Sequence, residues 1–106
     1  SSKDNYQVLF LKQTPKIISQ VKKWNPNIRL IGFKLLVDVS KEELLTIARA
    51  SLTKNQAEII VANDLSDISD NQHHAYLVKI NSVIKADTKE EIAQQLVTHI
   101  HTKDNL

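Results

Sequence analysis

Residues 28–36 read Ile28-Arg29-Leu30-Ile31-Gly32-Phe33-Lys34-Leu35-Leu36, a run nearly continuous in apolar side chains rather than alternating. A strand covered on both faces has this pattern, as in the interior of a parallel sheet. The next segment supports that reading. Ser40 and Glu43 have the spacing of a capping box, and Leu44, Leu45, Ala48, Ser51 and Leu52 then recur with helical period. Residues 58–62, Glu58 to Ala62, return to a short buried strand. Strand, helix and strand in that order make a βαβ unit, whose two strands lie parallel.

Working outward, Tyr6 to Lys12 is a compact β-prone run, followed by Thr14-Pro15, an N-cap before a proline at the first helical position. A helix is expected from Pro15 to about Lys23, with Ile17, Ile18, Val21 and Trp24 on one stripe and Asn25-Pro26-Asn27 ending it. Toward the other end, Ala75 to Ile80 and Ser82 to Ala86 read as a hairpin turning near Asn81. Thr88 and Glu91 cap a last helix with the stripe Ile92, Ala93, Leu96, Val97, Ile100. The expected fold class is therefore α/β: one domain over residues 1–106, a Rossmann-like layered sheet, mostly parallel, with a C-terminal β-hairpin and flanking helices. Ligands in such sheets bind beyond the carboxyl ends of the strands, which directs attention to Lys34–Val39 and Asn63–Ser66.

Composition narrows the function classes. The 106 residues carry a formal net charge of +2 without a basic cluster longer than Lys22-Lys23, which argues against a nucleic-acid partner. There is no cysteine, so disulfides, thiolate metal sites and a cysteine nucleophile are excluded, and a cytoplasmic origin is expected. No apolar run approaches a membrane span, and the polar start Ser1-Ser2-Lys3-Asp4-Asn5 does not resemble a targeting segment. A single glycine, Gly32, cannot build a glycine-rich phosphate loop.

Several residues admit a functional and a structural role. Asn63-Asp64 closes the strand EIIVA at the ligand edge, where the pair also suits an Asx turn. Gly32 marks the close approach of a ligand or of a packed neighbour, and Phe33 is either a contact or a core aromatic. Lys54-Asn55 ends the second helix, where lysine complements the helix dipole but would serve a phosphate equally well. That helix end belongs to the sheet edge opposite the ligand crevice. His73-His74 and His99 with His101 are tempting metal ligands, but adjacent histidines point apart and no carboxylate spacing completes a site, so no metal is expected from these residues.

The segments KQTPKIIS, LIGFKLL, IARASLTKNQAEIIVAND and TKEEIAQQL, in that order and over nearly the whole chain, resemble the second half of the phosphopantothenoylcysteine synthetase family. The likeness is to the stand-alone, streptococcal-type bacterial enzyme, because the GFAAET-like stretch of the fused version reads GFKLLV here. The resemblance implies a ligase of coenzyme A biosynthesis that activates 4'-phosphopantothenate with CTP and Mg²⁺ to an acyl-cytidylate, which the amine of cysteine attacks with release of CMP. It implies nucleotide contacts at Pro15, Lys16, Ile17, Ile18, Phe33 and Lys54, and a role for Asn63, in the AND motif, with the acyl-cytidylate. It also implies a homodimer. Where fused members have a second lysine one turn before Lys54, this chain has Ala50, with Arg49 adjacent. The family's glycine-rich loop, a metal-associated aspartate and a further lysine are expected before residue 1, so the fragment alone is expected to be inactive. The competing expectation is a non-catalytic α/β nucleotide-binding or dimerisation module with the same layered fold.

Overall fold

The computed structural model of the protein describes residues 8–11, 15–68 and 73–104. Five strands form one sheet in the order β1-β2-β3-β4-β5: β1 (Val8–Leu11), β2 (Arg29–Leu36), β3 (Ile59–Asp64), β4 (Ala75–Val78) and β5 (Val83–Ala86). Helix α1 (Pro15–Trp24) connects β1 to β2, α2 (Lys41–Asn55) connects β2 to β3, and α3 (Lys89–Asp104) follows β5. Among the described residues, no helix is long and apolar enough to cross a membrane.

The sheet is mixed, which corrects the expectation of a mostly parallel one. β1 pairs with β2 and β2 with β3 in parallel, whereas β3–β4 and β4–β5 are antiparallel. The physical reason is the connection length. A parallel return needs a crossover of a dozen or more residues. α1 and α2 supply such crossovers, whereas β3 passes to β4 through residues 65–74 only, and β4 to β5, in the expected hairpin, through residues 79–82, closed by Lys79 N–H donating to the Ser82 carbonyl at 2.8 Å.

Strand alternation divides the buried side chains between two faces. On one face Ile31, Ile59, Val61, Ala75, Leu77 and Ala86 pack with Ile92 and Leu96 of α3. On the other, Ile60, Ala62 and Val78 pack with Leu44, Ala48 and Leu52 of α2, and Leu30 packs with Val21 of α1. β2 and β3 are thus covered on both sides, as their unbroken apolar runs require. Gly32 serves this packing: a Cβ there would come within 3.0 Å of Ile60 Cδ1, its register partner's side chain beneath α2.

The helix boundaries follow their signals. Ser40 Oγ accepts from the Glu43 amide at 3.1 Å, and Thr88 Oγ1 accepts from the Glu91 amide at 3.1 Å. α2 ends where Gln56 enters the left-handed region at φ 56° and its amide returns to the Leu52 and Thr53 carbonyls. Two helical stripes differ from expectation. Val21 is buried, but Trp24 is 67% exposed; Ile17 and Ile18 have side chains outside the described set. On α3, Ala93 and Val97 face solvent, and the inward stripe is instead Ile92, Leu96, Ile100 with His99, because His99 has an acidic partner beneath it. Of the expected first strand, Tyr6, Gln7 and Lys12 lie outside the described residues, as does the Thr14 cap.

Candidate active site at the carboxyl edge

β1, β2 and β3 all point to one edge of the sheet, where β2 passes into the loop before α2 and β3 ends at Asn63-Asp64. Strand β3 extends two residues beyond the Ala62 expected from sequence, so Asn63 and Asp64 are held by the sheet and not by a free turn. Neighbours on a strand face opposite ways. Asn63 continues the α3 side begun by Ile59 and Val61, and Asp64 the α2 side begun by Ile60 and Ala62.

Asp64 is committed to structure. Its carboxylate accepts from the amides of Asp38 at 3.1 Å, Val39 at 2.8 Å and Ser66 at 2.9 Å, and from the Ser66 hydroxyl at 2.7 Å. The hydroxyl and amide of Ser66, joined by the amides of Val39 and Asp38, hold its pKa down to about 2. One carboxylate thereby fastens the β2–α2 loop to the end of β3. It also fixes Asp38 in the left-handed region, at φ 54°, a conformation asparagine and aspartate adopt more readily than most residues. The Asx turn to Ser66 is the structural role weighed from sequence; the grip on residues 38–39 depends on β2–β3 register and had no sequence signal.

Asn63 is differently placed. Its side chain is buried, with Nδ2 lying 2.9 Å from Nε2 of His73, two residues before β4. No hydrogen bond ties Oδ1 to another described residue. Phe33 is half-buried on the same face, packed against the cluster that contains Val61, its register partner. The exposed apolar side chains Leu35, Val37 and Leu65 border this edge, at 54%, 61% and 50% exposure, and Leu35 is the register partner of Asn63. Beyond β5, His74 Nδ1 lies 2.8 Å from Asp87 Oδ1, and Lys85 Nζ is 3.7 Å from the same oxygen. The hydrogen bond with His74 leads the effects that lower the Asp87 pKa, against some desolvation. The two adjacent histidines therefore have different partners.

The structure brings three of the sequence-derived groups to one edge: Asn63, Phe33 and the first turn of α1, Pro15, Lys16, Ile17 and Ile18, which follows the carboxyl end of β1. The side chains of that turn lie outside the described set, and its helical backbone is what is placed there. Lys54 is not brought to this edge. It sits in the last turn of α2, exposed, at the amino-terminal ends of the parallel strands.

That opposite edge carries a cluster that the sequence did not announce. Arg29 opens β2 and Glu58 precedes β3; Arg29 Nε and Nη2 each lie 3.0 Å from a Glu58 carboxylate oxygen, and Arg29 Nη1 donates to the Ile100 carbonyl at 3.3 Å. His99 Nε2 is 2.9 Å from Glu58 Oε1. Burial pushes the Glu58 pKa up, but the hydrogen bonds and charges of Arg29 and His99 together outweigh it and leave the pKa lowered.

Mg²⁺ does not fit the carboxylates described here. Asp64 has its oxygens occupied by four donors, one oxygen of Asp87 is shared by His74 and Lys85, and among the described residues no three histidine or acidic side chains converge.

Comparison with known proteins places this edge in context. Residues 1–103 match the DNA/pantothenate metabolism flavoprotein C-terminal domain. The chain belongs to that family. It is 36% identical over 91 residues to the coenzyme A biosynthesis bifunctional protein CoaBC of Thermococcus kodakarensis, an alignment covering 84% of this chain and 23% of that protein. The CoaBC of Methanocaldococcus jannaschii is 28% identical over 102 residues, covering 93% and 25% respectively. The chain thus spans about a quarter of the length of these curated relatives. The crystal structure of the DNA/pantothenate metabolism flavoprotein from Streptococcus pneumoniae superposes with a TM-score of 0.79 at 57% identity, over 81% of this chain and 39% of that one. A Cab2 mutant in complex with phosphopantothenate-cysteine shares the fold, with a TM-score of 0.62 at 21% identity over 86% of this chain and 31% of that one.

Proposed function

We propose that this chain supplies the Asn63 edge of a phosphopantothenate–cysteine ligase acting in coenzyme A biosynthesis, which joins cysteine to 4'-phosphopantothenate through an acyl-cytidylate formed from CTP. The observation that carries the reading is the placement of Asn63. The family's AND motif falls at the carboxyl end of β3, with a buried amide on the same face as Phe33, in a chain related to CoaBC proteins named for coenzyme A biosynthesis. Acyl activation and amine attack are positioning tasks, because the gain comes from holding carboxylate, α-phosphate and amine together and stabilising charge as it develops.

In this reading the α1 N-terminus, Pro15, Lys16, Ile17 and Ile18, offers backbone amides and a positive dipole end to the nucleotide, Phe33 borders it, and Asn63 hydrogen-bonds the reacting centre. Mg²⁺ arrives on the triphosphate, since this ion keeps most of its waters and binds through substrate phosphates. Lys54 is assigned to the negative end of the α2 dipole, as a nucleotide at the carboxyl edge of the same chain lies across the sheet from it. The working form is proposed to be a cytoplasmic homodimer. The competing reading, a non-catalytic nucleotide-binding or dimerisation module, requires no chemistry at Asn63.

Calorimetric titration of CTP with Mg²⁺ into this polypeptide, with ATP as the control, tests the nucleotide part. Selective CTP binding that weakens in Phe33→Ala is expected. Equal binding of ATP, or binding indifferent to that substitution, would overturn the assignment of this edge.

A further inference from the structure

The side chain of Asn63 is turned by its neighbour. We propose that His73 is a positioning residue for Asn63: as a neutral imidazole carrying its proton on Nδ1, it accepts from Asn63 Nδ2 and leaves Oδ1 as the group that Asn63 offers to a ligand. This deepens, and rests on, the assignment of Asn63 to the site.

The argument begins with donor inventory. With the amide oriented as it is here, Nδ2 lies 2.9 Å from His73 Nε2, and because an amide nitrogen only donates, this orientation requires Nε2 to accept and the ring proton to sit on Nδ1. A ring with its proton on Nε2, neutral or charged, would set N–H against N–H. The amide would then rotate by half a turn, accept through Oδ1 and present Nδ2 instead. The protonation site of His73 thus decides whether Asn63 meets its ligand as acceptor or donor.

The main chain that carries the ring is held on two sides. The His73 amide donates to the Asp87 carbonyl at 2.9 Å at the end of β5, and His73 forms a bridge with Ile68 beyond the end of β3. Asn63 itself is fixed by the sheet, through the β2 register that pairs it with Leu35. A side-chain pair anchored by two elements is a better orienter than one on a free loop, because little rotamer freedom remains to be lost.

The consequence is a chemical class. An Oδ1 left to accept recognises a hydrogen-bond donor, such as a hydroxyl, an amide N–H or an amine, and disfavours anionic phosphate or carboxylate oxygens. In the ligase reading, Asn63 is then placed to hold an amine or amide N–H near the acyl centre and not to bind the triphosphate.

The test is spectroscopic and uses this chain. Long-range ¹H–¹⁵N correlation of the labelled protein at about pH 8, above the ordinary imidazole pKa, reads the His73 tautomer directly. The proposal expects the Nδ1–H form. It also expects His73→Gln, which offers a carbonyl acceptor, to keep the Asn63 side-chain protons protected from exchange. His73→Phe should lose that protection by about tenfold, the factor for one ordinary hydrogen bond. An Nε2–H tautomer, or protection unchanged in His73→Phe, would overturn the proposal. The wild-type tautomer decides the matter even where a variant fails to fold. An Nε2–H ring together with selective CTP binding would sink this inference alone, whereas the Nδ1–H ring without CTP binding would leave it standing and sink the ligase reading.

Discussion

The two ends of β2 and β3 handle buried polar groups in opposite ways. At the amino edge Arg29, Glu58 and His99 satisfy one another, and Arg29 also reaches the Ile100 carbonyl, so the cluster is closed and ties α3 to the sheet. At the carboxyl edge the labour is divided between adjacent residues. Asp64 gives its oxygens to the β2–α2 loop, while Asn63 has one partner, His73, and keeps an oxygen available. One edge therefore ties α3 to the sheet, and the other, in the proposed reading, frames a group for a ligand. That is the difference expected of an α/β sheet whose site lies beyond the carboxyl ends of its strands.

Substitutions that treat the edges unequally sharpen this contrast. The largest effect is expected at Arg29. Arg29→Ala leaves Glu58 partly buried without its main cation and should destabilise the chain by about 3 kcal/mol in denaturant titration. A loss below 1 kcal/mol would show that the cluster does not hold α3. If the proposed ligase reading holds, Asn63→Ala should lower the kcat of ligation by about 100-fold, the scale for removing one well-placed polar group, while moving stability far less than Arg29→Ala does. Unfolding in place of a kcat defect would erase the distinction between the edges.

A smaller effect is expected at Asp64, and its sign is fixed by the pKa. With the folded value held to about 2 against an ordinary 3.8, the carboxylate adds stability that is full above its unfolded pKa and is lost as pH falls toward the folded one. The melting-temperature gap between wild type and Asp64→Asn should therefore be steady near neutrality and narrow between pH 3.8 and about 2. A gap independent of pH would mean that the loop is not held by the ionised group. Smallest is Ser40→Ala, which removes the α2 cap and should cost about 1 kcal/mol by the same denaturant measurement without touching either edge.

Much of this was readable in one dimension. The unbroken run through Leu30 to Leu36, the Ser40 and Thr88 caps and the short approach to Asn81 announced their elements through local signals, and the elements follow them. The β4–β5 hairpin was read, but the antiparallel pairing of β3 with β4 was not, since it follows from a link, residues 65–74, too short for a crossover. The position of Asn63 at the carboxyl end of β3 was legible because it follows the buried run Ile59 to Ala62 directly. His73, Asp64's grip on residues 38–39 and the Arg29–Glu58–His99 cluster were not, since each joins residues ten or more positions apart through register, which no periodicity encodes. Trp24 and Val97 misled as members of apolar stripes because a helix on a small sheet buries only a narrow face.

The central claim is that ligands meet this chain at its carboxyl edge. Titrating CTP with Mg²⁺ into the ¹⁵N-labelled protein and following backbone amide shifts tests it most directly. The account predicts saturable shifts at residues 33–39 and 63–66, with Lys54, Arg29 and Glu58 unmoved. Shifts centred on Lys54 and the amino edge, with Asn63 silent, would contradict it.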